Sequence, residues 1–328
     1  MFKSKNFKQL FIAAIIIAII VWLAGEDIYF AFNRLSLPLI FLLISLQIFT
    51  LLLIGLQWWY IFLADSDKKI SYSNIIKINL ASKFVESVTP ASKLGGESAK
   101  IYMFRKITDI KTGNILAAAA VQKSTTFLGF FILIIPFISY WPFQLNLWED
   151  ILANNLPVTN NIFLIFILLG AVFAVIWYIH KHYGKRIYHK FKNIKQEFIG
   201  SLSRLANFRH IGILTFISFA YWLLYPVKVY ILANYIFGGV DLTTAAAATF
   251  IAYFVSMIPL TPGGLGGFEA TMALILSQNG LSWQAGLSIA FLLRIFTFWL
   301  PLLVSAVMAV NISSEILPGR REPNSTNN

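Results

Sequence analysis

Two short stretches of the chain combine proline, glycine and charged residues within apolar sequence. Residues 89–97 read TPASKLGGE, and residues 261–269 read TPGGLGGFE. Both contain Thr-Pro, a short gap, Leu-Gly-Gly displaced by one position, and a Glu eight residues after the Thr. A helix that starts after such glycines presents free amide groups and the positive end of its dipole, which attract phosphate or carboxylate. The two stretches therefore predict anion-binding sites.

A cation follows each stretch at nearly the same distance. Lys123 comes 34 residues after Thr89, and Arg294 comes 33 residues after Thr261. Both cations lie within long apolar sequence. Because two independent features recur 172 residues apart, the pattern predicts an internal duplication.

The composition excludes a soluble enzyme, a disordered protein and a fibrous one. The 328 residues are 58% hydrophobic and 12% charged, whereas soluble domains carry about 25% charged residues. The chain is therefore predicted to be an all-α integral membrane protein. It contains no cysteine, which excludes disulfides and thiolate ligands; we expect no metal site, no catalytic residue and no cofactor.

Six apolar stretches are long enough to cross a bilayer as helices. Two others, Ile75 to Leu94 and Ala245 to Leu276, are interrupted by Pro and Gly and are predicted to be broken, re-entrant segments. Such interruptions are tolerated at membrane depth where the backbone faces protein or a water-filled cavity. The predicted spans are Leu10 to Ala24, Leu35 to Ala64, Ile115 to Tyr140, Asn161 to Ile179, Ile211 to Phe237, and Gln284 to Val310.

The basic residues indicate the topology. With six spans and a cytoplasmic N-terminus, 22 of the 26 Lys and Arg residues fall on the cytoplasmic side, as the positive-inside rule requires. The net charge of +12 is then a topology label, so no nucleic-acid partner is expected. We predict one membrane domain over 1–318 in the plasma membrane of a prokaryote, with inverted repeat units at about 35–140 and 211–312. Residues 319–328 form a short cytoplasmic tail.

The charges inside the spans allow two interpretations. Cations at this depth require partners or a watery cavity. In one interpretation, Glu97 and Glu269 form internal ion pairs that only hold the half-helices in place. In the other, Lys93, Lys123 and Arg294 surround an anionic headgroup, for which the fork of Arg is well shaped. The candidate binding residues are Lys93, Gly95, Gly96, Glu97, Lys100, Lys123, Pro262, Gly263, Gly264, Gly266, Glu269 and Arg294.

Three further features have less specific roles. Lys83 and Glu86, together with Lys100, are candidates for the entrance to the site. Lys228 is predicted to extend toward the interface rather than into the bundle. Residues 181–205 carry a helical apolar stripe with lysines beside it, which fits either a helix in the cytoplasmic headgroup layer or an ordinary connecting helix.

The second stretch, PGGLGGFE at 262–269, is followed by LRIFTFWLP at 293–301, and together they resemble the C-terminal signature of the flippase-like domain family. This is the membrane region also found in lysylphosphatidylglycerol synthases. PASKLGGESAK at 90–100 resembles the N-terminal pattern of the same family. A departure is Gln122-Lys123, where the family pattern has an acidic residue followed by Arg, so that one cation is kept and a carboxylate is lost. The resemblance covers about residues 5 to 312.

The resemblance implies a protein that moves phospholipid or polyisoprenoid-linked lipid across the membrane. Aminoacyl transfer, which a separate soluble domain performs in some members, is not expected here. Our leading hypothesis is translocation of a membrane lipid whose anionic headgroup binds between the two broken helices. The alternatives are a membrane-embedded glycosyl- or lipid-transferase using an outer acidic pair, Glu149-Asp150 or Glu26-Asp27, and a regulatory subunit of a membrane-enzyme partner.

Overall fold

The computed structural model describes residues 15–65, 70–88, 92–140, 191–257 and 261–316. Every regular element in these ranges is a helix, which confirms the predicted all-α class. In chain order the helices are α1 Ile15–Ala24, α2 Glu26–Asn33, α3 Leu37–Asp65, α4 Tyr72–Val88, α5 Ser92–Thr108, α6 Thr112–Tyr140, α7 191–205, α8 Phe208–Ile236, α9 Leu242–Ser256, α10 Gly267–Ser277, α11 Trp283–Arg294 and α12 Leu300–Ile316. A 3₁₀ turn at Pro262–Gly264 precedes α10, and a π-helical turn at Ile295–Trp299 joins α11 to α12.

Four of the predicted spans are confirmed as long apolar helices: α3, α6, α8, and α11 continued by α12. The first predicted span does not continue as one straight helix, because the chain bends by 87° between α1 and α2. The bend falls at Gly25, whose φ is 57°, a value that glycine adopts without strain. Counting this bent pair gives five candidate spans in the described ranges. The prediction at Asn161 to Ile179 lies outside them.

The two interrupted stretches form helical hairpins. The first consists of α4 packed on α5, and the second consists of α9 packed on α10. Each arm is short: α4 and α5 have 17 residues each, and α9 and α10 have 15 and 11. At about 1.5 Å per residue, none reaches the thickness of about 30 Å of a bilayer core. The predicted breaks are therefore present.

The first hairpin packs on the second half of α3, and the second hairpin shares an apolar cluster with the first half. Leu39 and Leu43, near the start of α3, share an apolar cluster with α9 and α10. Trp58 and Phe62, near its end, share another cluster with α4 and α5, including Phe104. The two hairpins thus lie toward opposite ends of α3.

The connecting helix α7 docks on the ends of α3 and α6. Asp65, at the end of α3, accepts hydrogen bonds from the Ser201 hydroxyl and from Arg204 Nε. Glu197 accepts a hydrogen bond from the backbone amide of Gly113. The apolar stripe of α7 is buried at Leu205. These contacts fit the connecting-helix interpretation over the part of 181–205 that is described.

Candidate functional site

The second break is held by Arg294 at the end of α11. Its Nε lies 2.9 Å from Oε1 of Glu269, and its Nη1 and Nη2 donate to the carbonyl oxygens of Gly263 and Gly264 at 2.7 and 3.2 Å. The Arg294 side chain is 7% exposed and that of Glu269 is 1% exposed. The guanidinium also lies 4.5 Å from the centre of the Phe268 ring. The Arg294 guanidinium is therefore enclosed by partners from residues 263–269.

The glycines of this turn permit a backbone path that other residues would strain. Gly263, Gly264 and Gly266 have φ values of 65°, 68° and 85°. A Cβ at Gly264 would lie 2.8 Å from that of Ser256, so the turn also packs too closely on α9 for a side chain. The Thr261 hydroxyl donates to the carbonyl of Leu265 at 2.7 Å and closes the turn. Glycine is thus required here by conformation and by packing.

The start of α10 is capped from within the chain. The Gly266 amide donates to Oε2 of Glu269 at 2.7 Å. Part of the donor set that the sequence offered to an anionic ligand is therefore used by an internal carboxylate, which also interacts favourably with the helix dipole.

In the first break, the predicted helix start is wrong. Helix α5 begins at Ser92, so Gly95 and Gly96 lie inside its first turns rather than before it. The reason for Gly96 is close packing, because a Cβ there would lie 2.5 Å from the Cβ of Glu86 on α4. This glycine lets the two arms of the hairpin approach each other.

Lys123 on α6 pairs with Glu97, the residue that the sequence pattern matches to Glu269. Lys123 Nζ lies 2.7 Å from Oε1 of Glu97, and Lys100 Nζ lies 3.4 Å from the same oxygen. Lys100 also lies over the Trp58 ring at 5.0 Å. The Lys123 side chain is 46% exposed. The Lys123–Glu97 pair is therefore partly exposed, whereas the Arg294–Glu269 pair is buried. Both predicted ion pairs, Lys123 with Glu97 and Arg294 with Glu269, are present.

The residue before Lys123 has a neutral partner. Gln122 Nε2 donates to Oε1 of Gln57 at 3.1 Å. Gln57 in turn donates to the hydroxyls of Thr125 and Ser218 at 3.0 and 2.6 Å. The carboxylate that is absent at position 122 is thus replaced by an amide in a buried network that joins α3, α6 and α8.

Lys228 does not extend to the interface, which corrects the sequence prediction. Its side chain is fully buried, with Nζ 2.6 Å from Oε1 of Gln47 and 2.9 Å from the Thr50 hydroxyl. The ammonium lies 4.6 Å from the centre of the Tyr225 ring. Pro226 and the flanking aromatic residues resembled an interfacial belt, but α8 packs this face against α3, where α3 offers polar acceptors.

A cavity of about 270 Å³ lies between the two breaks. Its walls come from the end of α4, from α8, from the end of α9 and from the Pro262–Gly264 turn. Lys83 is its cation and Glu86 its carboxylate. The lining residues are Lys83, Glu86, Ser87, Trp222, Tyr253, Ser256, Met257, Thr261, Gly263, Gly264 and Phe298.

The cavity contains only part of the predicted site. Gly263 and Gly264 line it, whereas Lys123 and Arg294 do not. The side chains of Lys93 and Pro262 lie outside the described ranges. Lys83 and Glu86 were expected only at an entrance, and the signal that could have placed them is their position one to two turns before the first Thr-Pro.

The outer acids of the transferase alternative gain no support from the described residues. Glu149 and Asp150 lie outside the described ranges. Asp27 accepts a hydrogen bond from the Ser282 hydroxyl at 2.7 Å, a contact that ties α2 to the start of α11. No group of three His, Asp or Glu side chains converges within the described ranges.

The helices, the two broken hairpins and the cavity between them define a polytopic helical membrane protein. The family model described as the lysylphosphatidylglycerol synthase TM region matches residues 10–305, and the chain belongs to this family. It is also similar to UPF0104 membrane proteins of archaea. The relative from Pyrococcus horikoshii is 21% identical over 327 residues, which cover 93% of this chain and 97% of that protein. Relatives from Methanothermobacter thermautotrophicus and Methanocaldococcus jannaschii are 22% and 21% identical over 316 residues each, covering 91% and 92% of this chain and 93% of each relative.

Proposed function

We propose that this protein translocates a lipid whose headgroup carries a negatively charged phosphate between the leaflets of the membrane, and that the headgroup binds in the cavity between the two breaks. The observation that carries this proposal is Lys83. Its ammonium lines the cavity and forms no hydrogen bond or ion pair with another described residue. A cation inside a membrane protein needs a counter-charge, and a headgroup phosphate supplies one.

The architecture supports movement of such a headgroup. Broken helices at membrane depth place exposed backbone against a polar cavity. The first hairpin packs on the second half of α3, and the second hairpin shares an apolar cluster with the first half, as expected of units that enter from opposite sides. Binding at the junction of inverted units is how many transporters give a substrate access to each side in turn. We therefore assign alternating access to rocking of the two hairpin units around the cavity.

The exposed ion pair forms the second part of the proposed path. Gly96 packs directly on Glu86, a lining residue, so the cluster of Glu97, Lys100 and Lys123 adjoins the cavity. Two cations share one carboxylate there, which leaves excess positive charge. This cluster attracts the phosphate toward Lys83. Arg294 and Glu269 instead fix the turn that forms the opposite wall.

Reconstituted vesicles test the proposal. The vesicles contain phosphatidylglycerol with a fluorescent label on its acyl chain. Dithionite reduces the label in the outer leaflet at once, so the later loss of fluorescence reports translocation of labelled lipid from the inner leaflet. Replacing Lys83 by Gln should lower the rate by roughly tenfold or more, because one charge-assisted hydrogen bond is worth about 1.5–3 kcal/mol. Lys106→Gln is the matched control, since this lysine is exposed at the end of α5.

Three results would contradict the proposal. Equal rates in protein-free and wild-type vesicles would refute translocation itself. Equal rates for wild type and Lys83→Gln would remove the headgroup from this cavity. Loss of activity in Lys106→Gln as well would show that charge reduction, and not the position of Lys83, explains the effect.

A further inference from the structure

The cavity between the breaks holds charges of both signs. Lys83 and Glu86 lie three residues apart on α4, and both line the cavity. Neither side chain forms a hydrogen bond or an ion pair within 4 Å with another described residue, and the two charges act on each other only through space. A purely anionic headgroup would pair with Lys83 and be repelled by the Glu86 carboxylate, whose remaining electrostatic partner is Lys100 of the neighbouring cluster.

Aromatic side chains form another part of the wall. Trp222, Tyr253 and Phe298 line the cavity. The rings of Trp222 and Tyr253 have centres 5.4 Å apart and an angle of 77° between their planes. Aromatic side chains arranged at an angle around a carboxylate favour an ammonium group, because the ring faces attract cations. The lining therefore has one phosphate partner and several ammonium partners.

We infer that the headgroup recognised here is zwitterionic: a phosphate ester binds at Lys83, and an ammonium on the same headgroup lies between Glu86 and the aromatic wall. This inference rests on the proposed lipid translocation and specifies its substrate class. The volume of about 270 Å³ lies just below the range of about 300–1,000 Å³ for drug-sized ligands. A small aminoalkyl phosphate fits this volume.

A comparison of the translocation rates of two lipids tests the inference. Phosphatidylethanolamine and phosphatidylglycerol, each labelled on the acyl chain, are measured at trace amounts in separate vesicles of the same phosphatidylglycerol–phosphatidylcholine mixture. The ratio of their rates, ethanolamine to glycerol, should be roughly tenfold for wild type, as one charge-assisted contact provides. In Glu86→Gln the ratio should fall toward one, and the glycerol lipid should move faster because repulsion is relieved.

The outcomes separate this inference from the proposed function. If wild type moves neither lipid, the proposed function fails. If wild type moves both lipids equally, or if Glu86→Gln keeps the wild-type ratio, lipid translocation stands and the zwitterionic headgroup is refuted. If Glu86→Gln moves neither lipid, Glu86→Asp decides, because a retained preference supports a role for the charge and a lost preference overturns it.

A soluble aminoalkyl phosphate shares the headgroup chemistry. Radiolabelled phosphoethanolamine is therefore offered outside the same vesicles. Exclusion from the lumen supports a lipid substrate. Uptake at a rate that matches lipid movement would assign the cavity to a soluble compound and overturn the lipid assignment.

Discussion

Replacing Arg294 should destabilise the protein far more than replacing Lys123, the cation at the corresponding distance after the first Thr-Pro stretch. Arg294→Met removes the partner of Glu269, a carboxylate that is 1% exposed, together with two donors to glycine carbonyls. Breaking a buried ion pair from one side costs about 3–5 kcal/mol, because the remaining charge is buried and unpaired. We therefore expect the free energy of unfolding to fall by about 3–5 kcal/mol.

Lys123→Met is the matched comparison. The Lys123 side chain is 46% exposed, and Glu97 keeps Lys100 as a second partner. Exposed ion pairs contribute about 0–1 kcal/mol, so this variant should stay within about 1 kcal/mol of wild type. Equilibrium unfolding of the purified protein in mixed micelles with increasing SDS measures both differences.

A double variant checks the reason for the large effect. Adding Glu269→Gln to Arg294→Met removes the unpaired charge, so part of the lost stability should return. The reasoning would be refuted by equal losses in Arg294→Met and Lys123→Met. The side chain that Glu269→Gln introduces can still accept the Gly266 hydrogen bond, so a double variant less stable than Arg294→Met would also refute the reasoning.

Three further changes are expected to alter the midpoint of thermal unfolding in detergent. Gly96→Ala should lower the free energy of unfolding by about 1–3 kcal/mol through overpacking against α4. In the control Gly200→Ala, the added Cβ meets no atom closer than 3.7 Å, so this change should be neutral or stabilising by about 0.4–1 kcal/mol. Equal shifts of the midpoint in the two variants would contradict the packing argument. Gln47→Leu removes one of the two acceptors of Lys228 and should cost about 1–3 kcal/mol, with recovery when Lys228→Met is added; additive losses would exclude the coupling. Gln57→Leu leaves its buried hydroxyl and amide partners without it and should cost about 1–3 kcal/mol, and a neutral result would show that water replaces it.

Much of the fold could be predicted from local sequence. Helix length follows from apolar run length, because each residue adds about 1.5 Å toward a core of about 30 Å. The breaks at 89–91 and at Pro262 follow from residues that interrupt helical hydrogen bonding. The pairing of Lys123 with Glu97 and of Arg294 with Glu269 was also predicted from the matched spacing. The bend at Gly25 could not be predicted, because a single glycine in the sequence does not specify a bend angle.

The roles of the charges required the tertiary structure. Sequence showed that Lys123 and Arg294 were equivalent in position, but only packing shows that one is half-exposed and the other enclosed by Glu269 and glycine carbonyls. It also moved Lys228 from the interface into the bundle and left Lys83 and Glu86 unpaired in the cavity. The sequence by itself indicated where the helices break and which charges lie within apolar sequence, because both depend on residue type and spacing. The tertiary structure decided which charges remain for a ligand, because neutralisation depends on side chains that meet only when distant helices pack together.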